Sequence, residues 1–287
     1  MSAILIDGKL VSAKLRGEVT EKRIEFEKKY GRKPGLCVIR VGEDPASVVY
    51  VRNKLRACEE VGFYSEAYEL PATTTQDELN ALVDKLNADD NIHGILCQLP
   101  LPSHLDENQV ILRIRPDKDV DAFHPYNVGK IMIGDYSFLP CTPAGVMALL
   151  ERSGIDVAGK ECVVVGRSNI VGKPQAMLLL HKHGTVTVCH SRTRNLSEIC
   201  RRADVLVAAI GKADFFTADM IKEGAVVIDV GMNRCVDGKL TGDVAFASVE
   251  PKASYITPVP GGVGPMTITM LMQNTLTAAR SFVGENK

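Results

Sequence analysis

Short β-branched runs alternate along the chain with stretches whose apolar residues recur at helical spacing. In the first half these runs are residues 36–41, 67–70 and 93–99. The first leads into a helical pattern that lasts to Val61, and the second into one from about Thr75 to Ala88. Apolar runs linked by helices predict a parallel sheet covered on both faces, so the first half reads as α/β. Pro100, Pro102, Pro116, Pro125 and Pro140 then break the pattern, which marks a connection between two domains.

Beyond that break, Thr142-Pro143 predicts a helix start, with the threonine as N-cap and the proline in the first turn, and Gly154 lies just past its end. This helix is expected to bridge the two domains. A second strand and helix series follows, with apolar runs at residues 161–165, 185–189, 205–209 and 226–230. A final helix is expected from Met266 to about Phe282. The fold class is therefore α/β, as two α/β domains flanking a cleft, the second a Rossmann-like parallel sheet that binds a dinucleotide. The length of 287 residues suits that division. Residues 1–121 with 267–287 are assigned to the first domain and 122–266 to the second.

Composition narrows the partners. The chain is 45% hydrophobic and 24% charged with a formal net charge of -1, so it lacks the basic excess that nucleic-acid backbones demand, and nucleic acid is not expected as a partner. Eight cysteines, at 37, 58, 97, 141, 162, 189, 200 and 235, form no Cys-x-x-Cys pair and sit mostly in apolar runs; they read as buried reduced thiols, with no structural metal expected. The opening residues include Asp7 and Lys9 and lack the pattern of a secretory leader, and no window holds the roughly 18 apolar residues of a membrane span. A cytoplasmic location and no membrane partner are expected.

Candidate chemistry begins with Val163-Val-Val-Gly-Arg-Ser-Asn-Ile-Val-Gly-Lys-Pro174, an apolar strand, a glycine turn and a helix. That arrangement aims backbone N–H groups at a pyrophosphate. Gly166 and Gly172 are present, but Ser168 stands where a second glycine usually allows close approach, so the glycines alone also describe an ordinary strand-to-helix turn. At the end of the next strand, Val188-Cys-His-Ser-Arg-Thr-Arg194, no carboxylate is present for a ribose hydroxyl. Ser191, Arg192 and Arg194 with Arg167 instead form a set able to hold a 2'-phosphate, which favours NADP over NAD as cofactor.

A second candidate lies on the helix opened by Asp44-Pro45, an N-cap and a first-turn proline. Ser47, Tyr50 and Lys54 share one face, which Cys58 and Val61 continue. Periodicity alone equally describes a half-exposed face with a snorkelling lysine. Gln98, however, closes a strand just before Leu99-Pro100-Leu101-Pro102, at the carboxyl end of a sheet where ligand contacts gather, and Lys54 is placed to meet it there.

With these residues in view, the chain resembles the bifunctional methylenetetrahydrofolate dehydrogenase/cyclohydrolase family over nearly its whole length. The carriers are Pro45-Ala-Ser-Val-Val-Tyr-Val-Arg-Asn-Lys54, Gln98-Leu-Pro-Leu-Pro102, Asp117-Lys-Asp-Val-Asp121, Gly166-Arg-Ser-Asn-Ile-Val-Gly-Lys-Pro174 and Pro258-Val-Pro-Gly-Gly-Val-Gly-Pro-Met-Thr267. The resemblance implies that Lys54 is the central catalytic group, that Gln98 orients it and Ser47 supports it, that Tyr50 packs on the aminobenzoyl portion of a folate, and that Asp121 holds the pterin. It places Cys97 and Leu99 in the folate site, and has Pro260, Gly261, Gly262, Val263 and Gly264 line the folate side of the cleft. It implies that Gly166, Arg167, Ser168, Ser191, Arg192 and Met232 contact NADP. It also implies a homodimer formed through the cofactor domain and a last helix that returns to the first domain. Ala122 stands where the family commonly has glycine, Met232 where isoleucine is frequent, and Ala245 where an acid is common. Ala122 is expected to shift the loop bearing Asp121, with folate affinity the property affected.

The implied reaction is hydride loss from methylenetetrahydrofolate, water addition to the methenyl bridge and ring opening to the 10-formyl product, in service of purine synthesis. A lysine that accepts the water's proton must itself be neutral, a state favoured by desolvation and by the cationic bridge. Two alternatives stay open on the residues: a dehydrogenase that has lost the hydrolytic step, and a noncatalytic dinucleotide-binding module whose Tyr50, Lys54 and Gln98 fill a polar seam.

Overall fold

The computed structural model describes residues 2–235 and 238–285. In chain order its elements begin with β1 (Ile4–Leu5), α1 (Gly8–Tyr30), β2 (Gly35–Val41), α2 (Pro45–Val61), β3 (Tyr64–Leu70), α3 (Gln76–Ala88) and β4 (Gly94–Cys97). There follow α4 (Glu107–Arg113), α5 (Pro125–Ile133), α6 (Cys141–Arg152), β5 (Glu161–Val165), α7 (Gly172–His181), β6 (Thr185–Cys189), α8 (Leu196–Cys200) and β7 (Val205–Ala208). The last are β8 (Val226–Asp229), β9 (Asn233–Arg234), β10 (Leu240–Thr241), α9 (Phe246–Val249), β11 (Tyr255–Ile256) and α10 (Val263–Phe282). Two compact units emerge, one of Lys14–Leu139 with Ile268–Lys287 and one of Met1–Ala13 with Pro140–Thr267.

In the first unit a parallel sheet runs β3-β2-β4, with Ile39 opposite Cys97 and Val41 opposite Leu70. Every residue of β2 is buried, as its mostly apolar run predicts, and the one charged residue, Arg40, pairs with Glu69 at 2.8 Å. β3 has no buried residue, so the expectation of a sheet covered on both faces fails at this edge, where Glu66 and Glu69 interrupt the apolar pattern. Leu79, Val83 and Leu86 of α3 close over Ile39, Ile92 and Ile95, and truncation of any of these to alanine costs about 2–5 kcal/mol. Local signals fix the helix ends. Thr75 and Glu78 form a reciprocal capping box at the start of α3, and Gly62, at φ 76°, ends α2 with its N–H shared between the Cys58 and Glu59 carbonyls.

In the second unit six parallel strands run β1-β11-β8-β7-β5-β6. β7 and β8 are wholly buried, and Val163, Val165, Leu206, Val227 and Phe216 belong to one core. This is the Rossmann-like sheet expected of the second half.

The division differs from the expected boundaries in two places. Residues 1–13 join the second unit because Ile4 and Leu5 pair in parallel with Tyr255 and Ile256, a strand too short to leave an alternation in the sequence. Residues 122–139, with α5, stay with the first unit. The helix at Thr142 also departs from expectation: α6 starts at Cys141 with Pro140 in the capping position and no side-chain cap, and it lies wholly within the second unit rather than bridging two. Thr142 is inside the helix, its hydroxyl 3.0 Å from that of Thr267. The helices that the division cuts are α1 and α10, and residues 268–287 return to the first unit. Among the described residues no helix is long and apolar enough to cross a membrane, and all eight cysteines are free thiols.

Candidate active site

In the first unit the chain leaves β2 and enters α2 through Asp44, whose carboxylate accepts the Ser47 N–H at 2.7 Å. The Ser47 hydroxyl also bonds Asp44, and these bonds hold that carboxyl below the usual range. Ser47 is buried and serves the helix start; the structure ties it to Asp44 rather than to Lys54. The buried stripe of α2 is Ser47, Val51, Ala57, Cys58 and Val61, which leaves Tyr50 at the stripe's edge, 37% exposed. Lys54 lies two turns beyond Ser47, half-buried, and its Nζ donates to Gln98 Oε1 at 2.8 Å.

Gln98 is held on three sides. Its backbone N–H donates to the Ile39 carbonyl at 2.8 Å, extending the β2–β4 pairing by one residue, and its Nε2 donates to the Leu99 carbonyl at 2.7 Å. Because the amide nitrogen is committed to Leu99, the amide oxygen is the atom presented to Lys54. A neutral amide accepts from an amine or an ammonium alike, so it fixes the direction of Nζ without the charge by which a carboxylate would trap the proton. Cys97 and Leu99, on either side, are half-buried. The Cys97 thiol is pushed up to about 12 by burial, with Glu107 and Asp121 adding and Lys54 opposing, so it stays protonated and inert near neutrality.

Asp121 closes a segment in which each residue has a separate task. Asp117 pairs with Arg115 at 2.6 Å. Lys118 is buried and donates from Nζ to the carbonyls of Leu86 and Asp89 at the end of α3, where a cation is favoured. Asp119, raised by burial, accepts the His124 N–H and Asn127 Nδ2, both at 2.8 Å. Val120 is fully buried, and Ala122 adopts a left-handed φ of 57° while buried, with its N–H on the Asp119 carbonyl at 3.1 Å. A glycine takes that conformation without strain, whereas alanine pays about 1 kcal/mol for it. Ala122 thus takes a conformation that glycine favours, in a loop braced by the bonds of Asp119 to His124 and Asn127. Asp119 and Asn127 escaped the sequence reading because their value lies in contacts across the loop.

The second unit carries the dinucleotide turn. Gly166 has φ 142°, and a Cβ there would lie 2.3 Å from the Ala209 carbonyl oxygen; a Cβ on Gly172 would lie 2.2 Å from the Gly166 oxygen. Both glycines are needed for the turn to close on itself. Ser168 supplies what a second glycine does not: its Oγ accepts the N–H groups of Val171 and Gly172 at 3.1 and 3.3 Å, and its carbonyl accepts that of Lys173. The first N–H groups of α7 are therefore satisfied within the turn, in place of the expected display of those groups to a pyrophosphate. What the turn offers an anion is its outer rim, where Arg167 and Ser168 are exposed.

Val165 pairs with Cys189, so the ends of β5 and β6 lie side by side; Arg167 and Ser168 follow the first and Ser191, Arg192 and Arg194 the second, all exposed. His190 shapes their loop. Its N–H donates to Thr193 Oγ1 at 2.8 Å, and its Nδ1 accepts the Arg192 N–H at 3.2 Å. No carboxylate occupies residues 188–194, and a cluster of guanidinium and hydroxyl groups there fits a phosphorylated ribose. Met232 is exposed on the loop after β8, with its Cε 3.5 Å from the position a Cβ on Gly264 would take. Pro260 is exposed while Gly261, Gly262 and Val263 are buried and Gly264 half-buried, all in this second unit. Lys9 donates its N–H to the Gly261 carbonyl, and Gly8 lies so near Gly262 that a Cβ would meet its oxygen at 1.7 Å.

A parallel nucleotide-type sheet whose turn and strand ends present arginines, together with a lysine oriented by an amide on the other α/β unit, is the equipment of a dinucleotide-dependent enzyme. A family model for the tetrahydrofolate dehydrogenase/cyclohydrolase catalytic domain matches residues 6–121, and one for the NAD(P)-binding domain of the same family matches residues 140–283. The chain belongs to the tetrahydrofolate dehydrogenase/cyclohydrolase family. It is 62% identical over 280 residues to the bifunctional protein FolD of Moorella thermoacetica, covering 98% of this chain and all of that one. Among solved structures it resembles the bifunctional FolD of Campylobacter jejuni, at TM-score 0.95 and 51% identity over 98% of this chain and 99% of that one. It equally resembles the Trypanosoma brucei enzyme complexed with NADP and an inhibitor, at TM-score 0.95 and 42% identity over 99% of both chains.

Proposed function

We propose that this chain oxidises 5,10-methylenetetrahydrofolate with NADP and hydrolyses the 5,10-methenyl product to 10-formyltetrahydrofolate. The observation that carries the reading is the 2.8 Å bond from Lys54 Nζ to an amide oxygen whose own nitrogen is committed to Leu99. Bound NADP supplies the hydride acceptor. Arg167, Ser168, Ser191, Arg192 and Met232 hold it, over a turn closed by Gly166, and the arginines select the 2'-phosphate. Hydrolysis falls to the protein. Water adds its oxygen to the bridge carbon and its proton passes to Lys54 Nζ, whose lone pair Gln98 aims; the bond from that carbon to N5 then breaks as the new hydroxyl gives up its proton and N5 takes one, which leaves the formyl group on N10. Tyr50 offers its exposed ring to the aminobenzoyl portion, Asp121 accepts from the pterin, and Cys97 and Leu99 add contacts. Pro260, Gly261, Gly262, Val263 and Gly264 are assigned to the folate as well, and Ser47 to upholding the helix that carries Lys54. The same reading makes the protein a cytoplasmic homodimer, joined through its cofactor unit, that supplies one-carbon groups for purine synthesis.

The direct check follows nicotinamide absorbance with methylenetetrahydrofolate and either NADP or NAD, with 10-formyl product measured in parallel. Folate-dependent reduction of NADP, accompanied by the formyl product, is expected. Reduction without formyl product would leave a dehydrogenase alone, and no reduction with either nucleotide would refute the proposal.

A further inference from the structure

Two buried carboxylates stand at the carboxyl ends of β7 and β8, and the scheme above uses neither. Asp243 is fully buried; its Oδ2 accepts the N–H groups of Ile210 and Gly211 at 2.7 and 3.0 Å, and its Oδ1 accepts those of Lys212 and the Asn233 side chain at 2.9 and 3.0 Å. Asp229 is buried beside it; Oδ1 accepts the N–H groups of Gly231 and Asp243, and Oδ2 that of Val244, all at 2.9 Å. The backbone makes room for both. A Cβ on Gly231 would lie 2.2 Å from Asp243 Oδ1, and one on Gly242 would lie 1.8 Å from Asp229 Oδ2.

Three consecutive N–H groups turned inward form a concavity suited to an anion, at the end of a parallel sheet where dinucleotides bind. Here the anion is internal. A carboxylate so placed bars a cofactor phosphate from the 210–212 turn, and leaves phosphate recognition to Arg167 and the β6 loop. Through Asn233 the same carboxylate also holds the loop on which Met232 is exposed, with Gly231 fixed on the other side by Asp229.

We infer that Asp243 is a positioning residue for the dinucleotide: it sets the 210–212 turn and the Met232 loop together in the arrangement that receives the cofactor, and Asp229 in turn sets Asp243. This rests on the assignment of Met232 and Arg167 to NADP. Asp243→Asn keeps the size of the side chain but turns an N–H donor toward backbone donors, so the turn and loop separate.

The experiment measures KM for NADP, kcat at saturating NADP, and nucleotide-free hydrolysis of methenyltetrahydrofolate. For Asp243→Asn, a rise of tenfold or more in the NADP KM is expected, with hydrolysis within twofold of the parent. Asn233→Ala, which removes only the tie to the Met232 loop, is the second variant should the first fail to fold; a threefold to tenfold rise is expected. An unchanged KM in Asn233→Ala, or equal losses in KM, kcat and hydrolysis, overturns the inference. The Arg167→Ala/Arg192→Ala double variant separates the two levels: weakened NADP there with no effect at Asp243 or Asn233 overturns this inference alone, and no effect at any of them overturns the cofactor assignment.

Discussion

Replacing Gly172 by alanine sets two physical effects against each other. Gly172 begins α7, and its φ lies outside the left-handed region, so helix propensity alone favours alanine by about 0.5–1 kcal/mol. The turn says the opposite. The new Cβ would lie 2.2 Å from the Gly166 oxygen, 2.4 Å from its carbonyl carbon and 2.8 Å from the Arg167 nitrogen, all backbone atoms that a rotamer change cannot move aside. Overpacking of that kind costs about 1–3 kcal/mol, and relief requires a shift of the Gly166–Arg167 peptide, whose Gly166 N–H donates to the Cys189 carbonyl at 2.9 Å. Gly17, inside α1, is the matched control: a Cβ there meets nothing within 4 Å, so alanine should gain about 0.5–1 kcal/mol. The propensity gain is common to both sites, so the two variants should separate by the overpacking cost, roughly 1–3 kcal/mol, in urea unfolding. Gly172→Ala should also lose NADP affinity in a fluorescence titration while Gly17→Ala retains it. Equal or greater stability of Gly172→Ala, with unchanged NADP binding, would refute the closed-turn reading.

The arginine cluster yields a selectivity prediction: Arg167→Ala/Arg192→Ala should weaken NADP by tenfold or more and leave NAD nearly unaffected, since only the phosphate is lost as a partner; equal losses for both nucleotides would contradict it. His93 yields one for pH. It is buried, its Nδ1 accepts the Gly35 N–H at 2.9 Å, and burial with Arg32 and Lys118 nearby pushes it down to about 4 from an ordinary 6.5. The folded state thus binds fewer protons than the unfolded state between those values, so this residue's contribution is intact above pH 6.5 and falls by about 3 kcal/mol as pH drops to 4. His93→Asn, which keeps an acceptor for Gly35, should unfold with a shallower acid slope. The comparison of the two proteins isolates His93, because Asp229, raised by burial to about 6, contributes a slope of opposite sign; parallel curves would overturn the assignment.

Much of this was legible in the residues, for identifiable reasons. The parallel sheets follow from runs such as residues 36–41 and 161–165, because a strand buried on both faces is apolar along most of its length; Arg40 and Glu161 are the polar exceptions, the first buried and the second exposed. Lys54 and Gln98 could be paired from sequence because each is placed by a strong local signal, the Asp44-Pro45 helix start for one and a strand end for the other. β1 was not legible, since two residues cannot show a period, and its partner lies at Tyr255–Ile256. Thr142 misled because a threonine before a proline has the form of a cap, yet the helix begins one residue earlier and the hydroxyl faces Thr267. Asp119, Asp229 and Asp243 were silent for a different reason: a buried carboxylate is defined by the backbone N–H groups that converge on it from distant loops, and no spacing records that convergence.

The central claim is that one amine takes the proton in the hydrolytic half-reaction, and Lys54→Met tests it most directly. Methenyltetrahydrofolate hydrolysis by the variant should fall by about 10²–10⁴-fold, while NADP binds with the parent's affinity because that site belongs to other residues. Formation of the 10-formyl product at the parent's rate would contradict the account.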